Sequence, residues 1–130
     1  SKAEEYALEY ERKRLLLVGL KRESGLARRV GNLDVTKGYD IESFTSKGEK
    51  PDRFIEVKCT KTPILRFYWT SREVEVAKRL ANHYFIYFIW INDSGNPTGA
   101  PEIIQNPAKA VLENKIQYQV SVATFVVRER

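Results

Sequence analysis

The sequence predicts an α/β domain in which a central mixed sheet is flanked by helices. Three observations support this fold class. Residues 2–19 contain no proline and repeat small and apolar residues at helical spacing. Residues 39–44 and 54–59 have the pattern of strands on either side of a polar turn, and residues 84–91 are almost wholly aromatic or β-branched. The predicted order is therefore helix, about three strands, helix and strand (αβββαβ), followed by a small tail.

The opening helix is predicted to run from Lys2 to about Gly19, where the glycine is a natural stop. The segment is rich in alanine, glutamate, leucine and arginine, which are favourable helix formers. The residues that we expect to face the core are Ala3, Ala7, Tyr10 and Leu17. Glu4 belongs to a neighbouring stripe, so its carboxylate is expected to point along the edge of the buried face.

A strand hairpin is predicted next. Short strands are expected around Arg29-Val30 and over residues 39–44, with a glycine-containing loop between them. Residues 46–52 are a polar turn, and residues 54–59 resume an alternating strand. The simplest connection between the last two strands is a hairpin.

The second half of the chain begins with a clear helix start. Residues 70–73, Thr-Ser-Arg-Glu, fit a capping box that opens a helix through about Ala81. The apolar run at residues 84–91 has the pattern of a strand that is covered on both faces. In the tail we expect a loop, a short helix and a final strand, at residues 92–97, 106–114 and 117–127.

Length and composition favour one folded domain over residues 1–130. Hydrophobic residues make up 42% and charged residues 30%, a balance that excludes a disordered chain. No apolar run approaches the ~20 residues that would span a bilayer, so we expect no membrane partner. Because the chain starts at Ser1 without a methionine, we expect a fragment of a larger multidomain protein.

The cysteine and histidine counts and the net charge limit which kinds of site and partner the protein can have. The single Cys59 cannot form an intramolecular disulfide, and with the lone His83 it cannot complete a tetrahedral zinc site. We therefore expect a cytoplasmic protein, or a nuclear one in a eukaryote. The net charge of +5 makes a polyanionic partner plausible, although we interpret any one basic cluster first as solvated surface.

The pattern Glu-x-Lys occurs three times, at residues 11–13, 56–58 and 113–115. The first lies on the predicted opening helix, where residues two apart do not face each other, so we interpret it as surface charge. The third falls at a helix-to-strand junction with no acidic residue in a matching strand nearby. Only the second lies inside a convincing strand.

On that strand, alternation projects Glu56 and Lys58 from one face while Ile55 and Val57 face the core. Pairing the arms of the hairpin brings Asp40 near Glu56. Two converging carboxylates repel each other unless a cation sits between them, and oxygen ligands suit Mg²⁺ or Mn²⁺. The alternative is an ordinary solvent-facing strand edge with a cross-strand ion pair.

Phosphodiester hydrolysis can use a divalent cation together with a side chain that acts on the attacking water. A divalent ion polarises the phosphoryl oxygen, and a further group orients or deprotonates the attacking water. Lys58 suits the second task, first by positioning water and stabilising charge and secondly as a general base.

The segments Gly38-Tyr39-Asp40-Ile41 and Ile55-Glu56-Val57-Lys58 resemble the PD-(D/E)XK superfamily of restriction-endonuclease-like domains, which includes Mrr-like nucleases. More narrowly, most of residues 3–91 resemble the domain at the C-terminus of the plant NO VEIN protein, which is also found in bacterial and archaeal defence or helicase proteins. Thr70-Ser71-Arg72-Glu73 and the strand from Tyr84 to Trp90 belong to this resemblance.

The resemblance implies roles for individual residues. Asp40, Glu56 and the carbonyl of Val57 would be metal ligands, Lys58 would act at the water, and Glu4 would be an outer ligand or water-holder. The family opening Gly-Glu is replaced here by Ala3-Glu4-Glu5, and we favour Glu4 over Glu5 as the inward glutamate. Glu73 also matches a recurrent family position, but a capping role explains it at least as well.

The implied function is Mg²⁺-dependent hydrolysis of DNA, with Mn²⁺ as a substitute, by an endonuclease of a restriction or anti-phage system. Double-stranded DNA is the expected partner. A homodimer, and a fused or associated helicase, ATPase or DNA-recognition domain, would complete the assembly. Two other classes stay open, namely a nuclease-fold module that binds nucleic acid without cutting it and a protein-interaction domain.

Overall fold

The computed structural model describes residues 1–31, 37–112, 116–121 and 124–129. The α-helices of this part of the chain are α1 (Lys2–Leu17), α2 (Lys21–Leu26), α3 (Ser71–Leu80) and α4 (Pro107–Leu112), and a 3-10 helix at Ala81–His83 follows α3. Its strands are β1 (Arg28–Arg29), β2 (Ile41–Ser43), β3 (Arg53–Thr60), β4 (Arg66–Thr70), β5 (Tyr84–Ile91), β6 (Pro97–Gln105), β7 (Ile116–Ser121) and β8 (Thr124–Glu129). None of these helices is long and apolar enough to cross a membrane.

The central sheet is mixed. Within the described residues, β1, β2, β3, β5 and β6 form a five-stranded sheet in that order. Strands β3 and β5 are parallel, with Glu56 beside Ile86, whereas the other neighbouring pairs are antiparallel. Strands β2 and β3 are the arms of the predicted hairpin. The prediction of an α/β fold around a central mixed sheet is confirmed.

Strand β5 divides the core into two layers because its side chains alternate between the faces of the sheet. The side chains that face α1 are Phe85, Tyr87 and Ile89, and those on the opposite face are Tyr84, Ile86 and Phe88. Ala3 and Ala7 of α1 complete the first layer, while Val76 and Ala77 of α3 pack into the second. The sheet is therefore flanked by helices, and β5 is covered on both faces as predicted.

Helix α3 begins where the sequence predicts. The side chain of Thr70 accepts a hydrogen bond from the Glu73 N–H at 3.1 Å, and the Glu73 side chain accepts one from the Thr70 N–H at 3.0 Å. This reciprocal pair is a capping box, which satisfies donors that the first helical turn leaves free. It also ties the orientation of the Glu73 side chain to the end of β4.

Helix α2 is absent from the predicted order. Its six residues are too few to form a stable helix alone in water, so the helix depends on tertiary contacts that the local pattern does not encode. The Ser24 hydroxyl donates to the Arg12 carbonyl at 3.0 Å, and the Glu23 carboxylate accepts from the Gly48 N–H at 3.2 Å.

Strand β6 occupies part of the predicted tail. The loop at residues 92–96 is present, but the chain then pairs antiparallel with β5 from Pro97 onward. Pro97, Gly99 and Pro101 disfavour a central strand. Strand β6 is the last strand of the sheet. An edge strand tolerates proline because its outer side has no neighbouring strand, so no backbone N–H is needed there for pairing.

The predicted final strand at residues 117–127 is instead two strands, β7 and β8. They pair with each other, and β8 also pairs with β4 to form a separate three-stranded sheet. Strand β4 therefore leaves the central sheet before α3 begins. The predicted short helix is α4.

The buried face of α1 differs from the predicted one. Ala3 and Ala7 are buried as expected, but Tyr10 is only half-buried and Leu17 is 87% exposed. The residues that continue the buried face are Glu11 and Leu15, each one helical turn after the last. The interpretation of Glu11 as surface charge was wrong.

Glu11 is buried because donors from several elements surround its carboxylate. Arg14 contacts it at 2.8 and 3.0 Å, the Ser43 hydroxyl at 2.9 Å and the Tyr87 hydroxyl at 2.6 Å, and Arg53 forms an ion pair at 3.1 Å. Burial raises the pKa of Glu11, but these hydrogen bonds and charges outweigh burial and bring the pKa below its ordinary value. The network joins α1 to β2, β3 and β5.

Candidate active site

Glu56 lies at the centre of the candidate site. Strand alternation packs Ile55 against α1 and turns Glu56 toward the opposite face of the sheet. Only 5% of Glu56 is exposed. Its carboxyl group therefore sits where an isolated negative charge would be costly.

Asp40 is held beside Glu56 by two bonds to β3. The Asp40 N–H donates to the Ile55 carbonyl at 2.8 Å, and its Oδ2 accepts a hydrogen bond from the Val57 N–H at 2.8 Å. The two β3 residues that bind Asp40 are thus the immediate neighbours of Glu56. This arrangement fixes the Asp40 carboxylate next to the Glu56 side chain.

Gly38 allows the chain to reach this position. Its φ of +76° is in the left-handed region, and a Cβ at this residue would lie 2.8 Å from Cγ2 of Val76. The Gly38 carbonyl accepts a hydrogen bond from the buried Tyr84 hydroxyl at 2.8 Å. The segment before Asp40 is therefore pressed against α3 and β5, and a side chain at residue 38 would push it away.

Glu73 brings a further carboxylate from α3. Its Oε1 caps the helix, as described above, and its side chain also lies close enough to Glu56 to raise the pKa of that residue. The capping reading of Glu73 was therefore correct but incomplete. The signal in the sequence was the family position that Glu73 also matches.

Glu4 approaches the site from α1. Its side chain is 21% exposed and lies 3.2 Å from Nη2 of Arg29 on β1. Glu5 is 70% exposed and pairs with the same arginine at 3.5 Å. Of the two glutamates, Glu4 is the one that lines the cavity formed with Asp40 and Glu56.

These carboxylates share one cavity of about 270 Å³. The acidic residues that line it are Glu4, Asp40, Glu56 and Glu73, and the remaining lining residues are Val30, Gly31, Gly38, Tyr39, Thr70 and Arg72. The structure therefore brings together three of the four predicted catalytic side chains and adds a carboxylate that was not among them.

The electrostatics of the cavity are dominated by crowding of negative charge. Burial raises the pKa of Glu56, and the nearby carboxyl groups of Asp40 and Glu73 raise it further, to about 12. Oε2 of Glu56 is buried and has no hydrogen-bond partner among the described residues. Such orphaned buried oxygens are rare in native proteins and call for an explanation.

Lys58 is on the same face of β3 as Glu56, but it is not among the described residues that line the cavity. Its ammonium donates to the Tyr68 carbonyl at 2.9 Å and lies 3.5 Å from Oε1 of Glu73. The Phe67 ring lies on its other side, with its centroid 5.6 Å away. Glu73 thus lies close to both Lys58 and Glu56, and the expected place of Lys58 at the attacking water stays a prediction.

The donor set fits a hard divalent cation. In the part of the chain that the structure describes, no three acidic, histidine or cysteine side chains already form a ligand cluster. Mg²⁺ usually keeps several waters and needs only one or two protein carboxylates. The unpartnered oxygen of Glu56 beside Asp40 provides such a pair, and a cation there would relieve their repulsion. The role of the Val57 carbonyl stays a prediction.

The other two Glu-x-Lys sequences lie elsewhere. Glu11 belongs to the buried network on the α1 face of the sheet, which is the face opposite to Glu56. Residues 113–115 lie outside the described residues. The choice of the second sequence therefore rests on the cavity around Glu56.

Comparison with known proteins agrees with this fold. The chain is similar to a solved structure titled "Structure of D212, a nuclease from a fusselovirus", with 18% sequence identity and a TM-score of 0.51. The match covers 96% of this chain and 80% of that chain. At this identity the likeness shows a shared fold. No curated protein matches the chain.

A family model described as "Protein NO VEIN, C-terminal" matches residues 3–103. This range contains every residue of the acidic cavity and most of the central sheet. The predicted resemblance is confirmed, and the chain belongs to the family of the C-terminal domain of Protein NO VEIN.

Proposed function

We propose that this domain is a metal-dependent nuclease that hydrolyses phosphodiester bonds in DNA, with Mg²⁺ as its cation and Mn²⁺ as a substitute. The observation that carries the proposal is the Glu56 carboxyl group, which is buried between Asp40 and Glu73 with an unpartnered oxygen. The family and the shared nuclease fold support the same class. Burying a carboxyl group beside two other carboxyl groups costs folding free energy, and a functional site explains why the chain bears that cost.

Asp40 and Glu56 would hold the cation, with the Val57 carbonyl as a further ligand and with Glu4 reaching it through water. A bound Mg²⁺ would polarise the phosphoryl oxygen and stabilise the negative charge that develops there. Asp40 is prepared for this role because the Val57 N–H fixes one of its oxygens and leaves the other able to bind. The residues are thus positioned before any cation arrives.

Lys58 would supply positive charge next to the reacting phosphate and position the attacking water. In the structure its ammonium is held at the edge of the site by the Tyr68 carbonyl and Glu73. The four-carbon side chain of lysine is flexible enough to turn toward the cavity without movement of β3. The same ammonium offsets part of the negative charge of the carboxylates.

Nucleic acid would be attracted by the basic balance of the chain, +5 overall. Arg72 lines the cavity and Arg29 pairs with Glu4 at its edge, and both would face the phosphates on either side of the cleaved bond. We propose contacts to the backbone that are independent of base sequence. Selection of a target, as in restriction or anti-phage defence, would come from a partner domain or a second copy.

Cleavage of labelled single- and double-stranded oligonucleotides, of both DNA and RNA, tests the proposal. Wild-type protein should cut DNA with Mg²⁺ or Mn²⁺ and should stop when the cation is chelated. Asp40→Asn and Glu56→Gln should remove the activity, whereas Glu9→Gln, on the exposed side of α1, should not. A protein that binds DNA but never cuts it would instead be the non-cutting binding module.

A further inference from the structure

Capping alone does not account for the surroundings of Glu73. A capping glutamate needs only to reach back to the backbone N–H of the N-cap residue, here Thr70, and it does so at 3.0 Å. The Glu73 side chain is nevertheless only 15% exposed and lines the acidic cavity beside Glu56. Placing another negative charge there costs stability, so a second role is required to explain it.

Lys58 supplies that second role. Among the described residues, Glu73 is the carboxylate that pairs with the Lys58 ammonium, at 3.5 Å. The Tyr68 carbonyl and the Phe67 ring complete its surroundings. Both backbone contacts come from the β4–α3 corner, at Tyr68 for Lys58 and at Thr70 for Glu73. That corner therefore determines where the only lysine on this face of β3 is held.

We propose that Glu73 is a positioning residue, which holds the Lys58 ammonium at the edge of the cavity so that Lys58 can reach the phosphate and the attacking water. This inference rests on the proposed nuclease function. Glu73 acts through Lys58 and does not itself bind the cation. Its carboxylate also keeps the lysine from pairing directly with Asp40 or Glu56, which leaves those two side chains to the cation.

Glu73→Gln separates this role from capping. Glutamine can occupy the same position of a capping box, so α3 should keep its start, but the neutral amide no longer attracts an ammonium. We expect kcat to fall about 10- to 100-fold, as is typical when a residue that orients a catalytic group is lost. The KM for DNA and the affinity for Mn²⁺ should stay close to wild type, and the melting temperature of the metal-free domain should not fall, because the substitution removes a negative charge from beside Glu56.

Glu9→Gln is the matched control. Glu9 is exposed on α1 and does not line the acidic cavity, so the substitution removes the same charge away from the site. It should leave kcat near the wild-type value. Glu73→Ala, which removes both the charge and the cap, should lower kcat and the melting temperature together.

Each outcome of this comparison decides the matter. A fall in kcat for Glu73→Gln alone, with unchanged Mn²⁺ affinity, supports the positioning role. Full activity of Glu73→Gln would show that the residue only caps α3, and a parallel fall in Mn²⁺ affinity would make it a cation ligand. If wild-type protein does not cut, the proposed function fails first and this inference falls with it, whereas an active wild type with an equally active Glu73→Gln overturns this inference alone.

Discussion

The Asp40 carboxylate accepts a hydrogen bond from the main-chain N–H of Val57 at 2.8 Å, so a side chain of the site completes the backbone pairing of β3. Asp40 thereby contributes to the fold as well as to the proposed chemistry. The two contributions can be separated by substitution, because asparagine keeps an acceptor oxygen at this position and alanine does not.

Asp40→Ala leaves a partly buried N–H without its acceptor, which costs the metal-free domain about 1–3 kcal/mol, and relief of the repulsion with Glu56 offsets part of that cost. Asp40→Asn should lose much less. Both variants should lose DNA cleavage by at least ~10²-fold. Urea unfolding and cleavage assays on the same preparations check this, and equal stability of the Ala and Asn variants would show that the hydrogen bond contributes nothing.

Glu56→Gln should stabilise the metal-free domain while removing activity. The substitution replaces a buried acid crowded by Asp40 and Glu73 with a neutral amide that can donate to either of them. We expect a gain of about 1.5 kcal/mol, the lower end of what a hydrogen bond to a charged group contributes. Calorimetric melting in the presence of a chelator measures it, and a loss of stability would mean that the acids do not repel each other in this way.

Addition of Mg²⁺ should raise the melting temperature of wild type more than that of Glu56→Gln. A ligand that binds only the folded state stabilises it by about 2.7 kcal/mol at a concentration 100 times its Kd. The variant lacks one proposed ligand and should gain less. The same titration with Na⁺ at matched ionic strength controls for screening, and identical shifts in both proteins would argue against a cation at Glu56.

The buried Glu11 network should make the stability of the domain fall at acidic pH. Burial raises the pKa of Glu11, but Arg14, Arg53 and Tyr87 lower it more, so its folded pKa is below the ordinary 4.5. A lowered pKa contributes stability that is present above the unfolded value and is lost as pH falls through the folded value. The unfolding free energy should therefore decline as pH drops below about 4.5.

Glu11→Gln isolates this contribution from that of other acids. It should cost about 3–5 kcal/mol at neutral pH, because the arginines lose a buried partner. The unfolding free energy of the variant should also fall less steeply than that of wild type as the pH drops. Urea unfolding between neutral and acidic pH measures both effects. A variant as stable as wild type at neutral pH would show that the network is not a source of stability.

DNA binding by the isolated domain should be weak and strongly dependent on salt. Net basicity provides phosphate contacts, and the logarithm of affinity should fall by about 0.9 for each tenfold rise in salt per phosphate neutralised. Asp40→Asn should bind as well as wild type. Fluorescence anisotropy on unrelated sequences measures this, and tight, sequence-selective binding at high salt would point to a base-reading surface instead.

The parts of the fold that could be predicted are those with a strong local pattern. Strand β3 alternates, β5 is continuously apolar and α3 starts with a capping box, and each of these signals is local. The predicted hairpin then placed Asp40 near Glu56, because an antiparallel pair leaves few alternatives for register. Strand β6 was missed because prolines and glycines that weaken a central strand are tolerated at an edge.

The other differences between the prediction and the structure involve side chains whose contacts are with residues distant in sequence. The burial of Glu11 depends on Arg53 and Tyr87 from β3 and β5, and no local pattern indicates that a glutamate will find them. The contact of Lys58 with Glu73 depends on the corner between β4 and α3. Spacing along one strand predicts that Lys58 shares a face with Glu56, but it does not predict which carboxylate the ammonium pairs with.

Anomalous diffraction from crystals of the wild-type domain soaked in Mn²⁺ tests the central claim most directly. We predict one strong anomalous peak between the carboxylates of Asp40 and Glu56, within coordination distance of Oε2 of Glu56. Crystals of Glu56→Gln soaked in the same way should show no peak at this position. If wild-type crystals show no peak there at a saturating Mn²⁺ concentration, the acidic cavity is not a cation site and the proposed nuclease mechanism is wrong.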